Sequence, residues 1–204
     1  SPGERTKPSW HNEGLADYRA SNVNVASLLI DPPLQLGHVR TLAFAYANRA
    51  GRGLAAPLEE LVVPESYAAV IAAASKRAGR DVPAQHALPV FYAQAEMVVR
   101  FLHEAEGGKY REGFQRYIAA VQSGKSGLET FRTAMAVGDA KAMADLELAW
   151  RRWLTGVIRE QQASYPDLAA STGSSSTSNS TADTVMTLPP PAEFDAATIA
   201  WRSE

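Results

Sequence analysis

The chain has no cysteine in its 204 residues. Disulfides and thiolate metal sites are therefore excluded, and the redox compartment is left open. An excess of either charge is also missing: 20 Lys and Arg stand against 22 Asp and Glu, a net charge of −2. That balance leaves no electrostatic footprint for a polyanion, and no nucleic-acid partner is expected. No apolar run approaches the roughly 18 residues that a membrane span requires. The opening Ser1-Pro2-Gly3-Glu4-Arg5-Thr6-Lys7-Pro8 leads into no apolar segment and is not a signal peptide. It lacks an initiator methionine, which fits a fragment or a trimmed chain with any targeting sequence upstream. Period-two alternation is essentially absent, so strands are not expected. No self-similarity at roughly 34 residues marks a helical repeat.

What is present is the composition of a soluble globular protein, 46% hydrophobic and 21% charged, with enough chain for one domain and a proper core. Two regions differ. Residues 1–165 carry 19 basic and 17 acidic residues, and residues 166–204 carry 1 and 5. Nine of the eleven residues from Ser171 to Thr181 are Ser or Thr. Such a run cannot bury enough surface to offset the entropy of ordering, so 166–204 is expected to be a disordered tail. Pro189-Pro190-Pro191 adds a stiff stretch, and Ala192–Trp201 is at most a short helix.

The body is expected to be all-α. Helices are expected at Asn12–Ala20, Leu36–Arg49, Pro64–Arg77, Leu88–Ala105, Lys109–Gln122, Leu128–Met135 and Ala140–Gln162. Val23–Pro33 reads as a loop and Pro57–Leu61 as a single turn. Phe91, Ala95, Val98, Leu102 and Ala105 form one buried stripe. Met143, Leu146, Trp150, Trp153 and Val157, spaced 3, 4, 3 and 4, form an apolar seam on the last helix. Arg151, Arg152 and Arg159 are expected on its wet side.

Chemistry concentrates near the start. Glu13 and Asp17 are four apart and share one helix face. Two carboxylates so placed repel unless a positive group sits between or beyond them, and a metal or a metal-bound histidine would supply it. An isolated pair of this kind is ordinarily a solvated acidic face favoured by the helix macrodipole. Gly14 removes a side chain beside Glu13 and would let another helix or a ligand approach closely. Trp10 is placed to pack under the turn. None of His11, His38, His86 and His103 forms an H-x-x-x-H pair, and His103-Glu104 fails as a start because position 107 is Gly. Gly124-Lys125-Ser126 is not a phosphate-binding loop, since Ala119 stands where that loop needs Gly. Asn179-Ser180-Thr181 is a glycosylation sequon by pattern alone.

The whole string Trp10-His11-Asn12-Glu13-Gly14-Leu15-Ala16-Asp17-Tyr18 resembles the W-x-N-E-G-x-A-x-Y segment of gluzincin zinc metallopeptidases. Weaker pieces follow in order: Tyr92-Ala93-Gln94-Ala95-Glu96, the turn Gly107-Gly108-Lys109-Tyr110-Arg111, the helix end from Tyr117 to Gly124, and Leu146-Glu147-Leu148-Ala149-Trp150. Together they resemble a bacterial domain family of the peptidase MA-like group over residues 8–156.

The resemblance implies the C-terminal helical subdomain of a zincin-like metallopeptidase fold. It makes Glu13 the third protein ligand of Zn2+ and Asp17 the carboxylate that holds a zinc-bound histidine. It implies a peptide or protein substrate and an extracytoplasmic location. His11 departs from the family, which has an apolar residue there, and is expected to be a surface histidine, with an adventitious metal contact as the rival reading. Tyr92 is expected to be a core tyrosine, with transition-state hydrogen bonding as the rival role; Gln94 is a similar candidate. The H-E-x-x-H helix of such enzymes is missing. It is expected just upstream of residue 1, so the chain alone should bind zinc weakly and hydrolyse nothing. The rival reading is a non-catalytic helical binding or scaffold module derived from that fold.

Overall fold

The computed structural model describes residues 10–26, 32–47, 51–64 and 66–164. The Ser/Thr-rich tail 166–204, expected to be disordered, lies outside the described residues. Eight α-helices account for the regular structure among them, with one 3₁₀ turn and no strand: α1 Trp10–Ala26, α2 Pro32–Ala47, α3 Leu58–Leu61, α4 Tyr67–Ala78, α5 Ala84–Glu104, α6 Arg111–Gln122, α7 Leu128–Met135 and α8 Ala140–Ser164. The all-α reading therefore holds.

Helix α5 is the axis of the molecule: α1, α2, α4, α6 and α8 all pack against it. Its sequence explains why. The expected stripe Phe91, Ala95, Val98, Leu102 and Ala105 is buried, but so are Val90, Ala93, Met97, Val99 and Phe101 on other faces. A helix buried on several faces is one that neighbours enclose. It also begins earlier than expected, at Ala84, and runs through Pro89. Proline removes one intrahelical bond, but Pro89 stays exposed while Ala87 and Val90 on either side are buried, and their packing outweighs the loss.

Two other boundaries differ from expectation. Helix α1 continues past Ala20 to Ala26, and α2 begins at Pro32, so most of the expected loop Val23–Pro33 is helical; 27–31 lie outside the described residues. Proline in the first turn of α2 fits the helix start, where its missing N–H has no partner to lose. Helix α4 starts three residues late because Ser66 caps it: its Oγ accepts from Ala69 N at 3.2 Å. It stops where expected, at Gly79, which takes the left-handed conformation with φ 64°.

The apolar seam of α8 drifts. Met143, Leu146 and Trp150 are buried as expected, but Leu154 and Ile158 complete the row, while Trp153 and Val157 are only partly buried. A straight helix turns once in 3.6 residues, so a seam read at period 3.5 drifts by about 20° per heptad. Arg151 is correspondingly not fully wet: its Nε donates to Glu147 Oε1 at 2.6 Å. Arg152 and Arg159 are exposed as expected.

Three of the later motifs each fix a junction. Glu147 Oε2 accepts from Leu58 N at 2.8 Å, capping α3 from α8. Gln94 is buried on α5 and accepts from Ala56 N at 2.9 Å while its amide donates to Ala56 O, clamping the segment before α3. Gln94 is thus committed to the backbone. Glu106, Gly107 and Gly108 all have positive φ, and Arg111 then returns to donate twice to His103 O, at 3.1 and 2.9 Å, closing the end of α5.

Candidate functional site

Helix α1 has two working faces. One is packed. Trp10 is 2% exposed and stacks at 5.8 Å on Tyr117, with Phe114 and Phe131 beside it. Gly14 lies against α5 so closely that a Cβ there would stand 2.7 Å from the Ala95 carbonyl carbon and 2.8 Å from Val99 Cγ2. Only glycine permits that approach. The expectation that Gly14 lets a neighbouring helix come close is met, and the neighbour is α5.

His11 belongs to this packed face, which corrects the expectation of a surface histidine. It is 4% exposed, edge-on to Tyr117 with centroids 5.6 Å apart. Burial lowers its pKa from 6.5 to about 4, so it is neutral at pH 7. A buried neutral imidazole fits among aromatic rings as an apolar residue would.

The other face carries Glu13 and Asp17. Both are partly buried, and Asn12 between the two faces is exposed. Glu13 Oε1 accepts the hydroxyl of Tyr67 at 2.9 Å, from the first residue of α4. Tyr67 in turn lies edge-on to Tyr92 of α5, ring centroids 6.0 Å apart. The adjoining Tyr92 hydroxyl, partial burial and the Glu13 carboxylate hold the Tyr67 phenol well above the ordinary tyrosine range. It is a fixed proton donor to Glu13 at any physiological pH. Tyr92 is partly buried, so it lies beside the site as backing for Tyr67.

One turn further along, Asp17 faces a second group. Burial raises its pKa, and the charges of Glu96 and Glu13 push the same way, while His38 opposes them. Glu96, on α5, is 2% exposed. Its Oε1 accepts from Arg100 Nε and Nη2 at 3.2 and 3.0 Å. His38 Nδ1 of α2 lies 3.5 Å from Oε2. Arg100 reaches on to Glu104 at 3.4 Å and lies over the Tyr18 ring, 5.2 Å from its centroid. Of the α1 carboxylates, Asp17 thus has His38 of α2 beside it, a neighbour that its local sequence does not mark.

The structure brings together Glu13, Asp17, Tyr67, Tyr92, Glu96 and His38 from four helices. Spacing gave the first pair. Tyr67, Glu96 and His38 were missed, because nothing in the local pattern of α2, α4 or α5 marks a residue that faces α1. The Glu13 carboxylate is chemically suited to a divalent cation such as zinc. Among the described residues, no group of three or more His, Asp or Glu is arranged to hold a metal ion.

Among the described residues, no helix is long and apolar enough to cross a membrane. Comparison of the chain with protein-family models, curated proteins and solved structures finds no match.

Proposed function

We propose that this chain is the C-terminal helical portion of a zinc-dependent metallopeptidase-like domain, with peptide-bond hydrolysis belonging to the complete protein. Glu13 is the residue of this chain that would hold Zn2+, and Asp17 the one that would accept the N–H of a metal-bound imidazole. The two histidines and the general base of the site come from outside the described residues. Zinc bound there would polarise a peptide carbonyl and its attacking water.

The observation that carries this reading is the division of labour on α1. Trp10 and Gly14 are spent on packing, at the aromatic cluster and at α5. That packing fixes the rotation of α1, so Glu13 and Asp17 emerge together along the edge of the packed face, one turn apart. A merely solvated acidic face would not need Tyr67 bonded to one carboxylate, nor the buried Glu96 and His38 beside the other. The role left to this chain is to hold one carboxylate in a set orientation, keep a second poised to accept a proton-bearing nitrogen, and wall the site with α4 and α5.

The test is Glu13→Ala in the complete protein that carries this chain. Zinc content, measured by mass spectrometry of the dialysed protein, is expected to fall from equimolar to near zero, with peptide hydrolysis lost in parallel. Unchanged zinc stoichiometry would reject Glu13 as a ligand and favour the non-catalytic helical module.

A further inference from the structure

Burying a carboxylate is costly unless donors meet its oxygens. Among the described residues Glu96 is the one acid that is buried, at 2% exposure, on the helix that its neighbours enclose. Arg100 answers one of its oxygens, donating from Nε and Nη2 to Oε1 at 3.2 and 3.0 Å. That pair holds the carboxylate in one orientation. Oε2 is buried as well and accepts no hydrogen bond. The group that faces it is an imidazole: Nδ1 of His38 lies 3.5 Å away.

His38 is placed differently from its partner. Helix α2 packs against α5, and Val39, Leu42 and Ala43 are buried there. The His38 side chain keeps 21% of its surface exposed, so the ring reaches from the interior to solvent. The two nitrogens of an imidazole have separate tasks. A carboxylate at Nδ1 holds the tautomer with its proton on that nitrogen and leaves the Nε2 lone pair free. Asp17 of α1 lies within electrostatic reach of the same ring.

We propose that His38 is a general base, oriented by the buried carboxylate of Glu96, that takes a proton from water attacking an ester or amide carbonyl. The water oxygen bonds to the carbonyl carbon as its proton passes to Nε2. The bond to the leaving group then breaks, and Nε2 returns the proton to the departing oxygen or nitrogen. Glu96 takes no part in bond making and is a positioning residue. Catalytic hydrogen bonds are often long in an unliganded site and tighten with substrate, which accommodates the 3.5 Å separation. The proposal needs no metal and does not rest on the reading of Glu13 as a ligand.

The experiment uses the 204-residue chain with p-nitrophenyl acetate as probe and EDTA present throughout. The parent is expected to hydrolyse the ester, and His38→Gln to lower the rate by about 100-fold. Glu96→Gln is expected to lower it by about tenfold or more and to displace the pH–rate profile, which loosened packing alone would not do. In the parent at alkaline pH, long-range proton–nitrogen NMR is expected to find the His38 proton on Nδ1. A parent rate no greater than that of equimolar free imidazole overturns the general base, and so does a His38→Gln rate equal to the parent's. A proton on Nε2 overturns the orientation by Glu96, even where Glu96→Gln does not fold. An unchanged rate and pH profile in folded Glu96→Gln overturns it as well. Zinc content of the complete protein is untouched by any of these outcomes, so the two readings fail separately.

Discussion

His11 sits inside the aromatic cluster formed by Trp10 and Tyr117, and its burial has a consequence for pH. The imidazole titrates at about 4 in the folded chain against 6.5 ordinarily. Between those values the unfolded chain binds the proton and the folded chain does not, so stability falls as pH drops through that window. It is fully present above about pH 6.5, and the loss attributable to this group approaches about 3 kcal/mol at pH 4 and below. His11→Leu replaces the imidazole with an apolar group that cannot charge. Urea denaturation at pH 7.5 and 4.5 is expected to show a loss about 2–3 kcal/mol smaller in the variant than in the parent. Equal losses would mean that His11 does not titrate low. The residue scale is also where sequence reading was weakest. Glu13 and Asp17 were legible because their partners in the pattern are adjacent in the chain. His11 was misplaced because a polar residue type argues for the surface, and the facing rings of Tyr117 and Trp10 lie where no local pattern marks them.

Among elements, α1 and α5 form the tightest junction, and its closeness rests on one missing methyl group. Adding that group with Gly14→Ala drives a Cβ into the Ala95 carbonyl and Val99. Overpacking of this kind costs about 1–3 kcal/mol. Alanine otherwise favours a helix over glycine by about 1 kcal/mol, so the sign of the effect is diagnostic. Gly156 on α8 provides the contrast: it is exposed, and a Cβ there meets nothing within 4 Å. Gly14→Ala is expected to lower the urea midpoint and Gly156→Ala to raise it. A raised midpoint in both would mean that α1 does not lie so close to α5. Helix existence was legible throughout, and α7 matches its expected span. Ends were misjudged where a cap decides them, as at Ser66, or where packing carries a helix through a proline, as at Pro89.

At the scale of the molecule, Trp150 marks the point where three helices converge. It is fully buried, edge-on to Phe101 of α5 at 5.7 Å, and its indole N–H donates to Tyr46 of α2 at 3.4 Å. Burial and the Glu147 carboxylate push the Tyr46 phenol up to about 12, so the acceptor stays neutral. Trp150→Ala removes the largest shared side chain of α2, α5 and α8. It is expected to cost about 3–5 kcal/mol, read as a fall in the thermal midpoint of the whole 204-residue chain. A loss under about 1 kcal/mol would show that the three helices hold together without it. Trp150 and Glu147 were visible in the sequence as one short motif. Their roles, one in the core and one capping α3, were not, because both depend on segments about 90 to 100 residues away.

By itself the sequence determined the helical class, the order of the helices, the buried stripe of α5, and the shared face of Glu13 and Asp17. All of these follow from side-chain periodicity within a single element, which a helix fixes locally. Tertiary structure alone decided that α5 is enclosed, that His11 turns inward, and that Tyr67, Glu96 and His38 meet the carboxylates of α1. These depend on how helices are rotated and pressed together, and that rotation is set by close contacts such as Gly14 on α5, which no local pattern encodes.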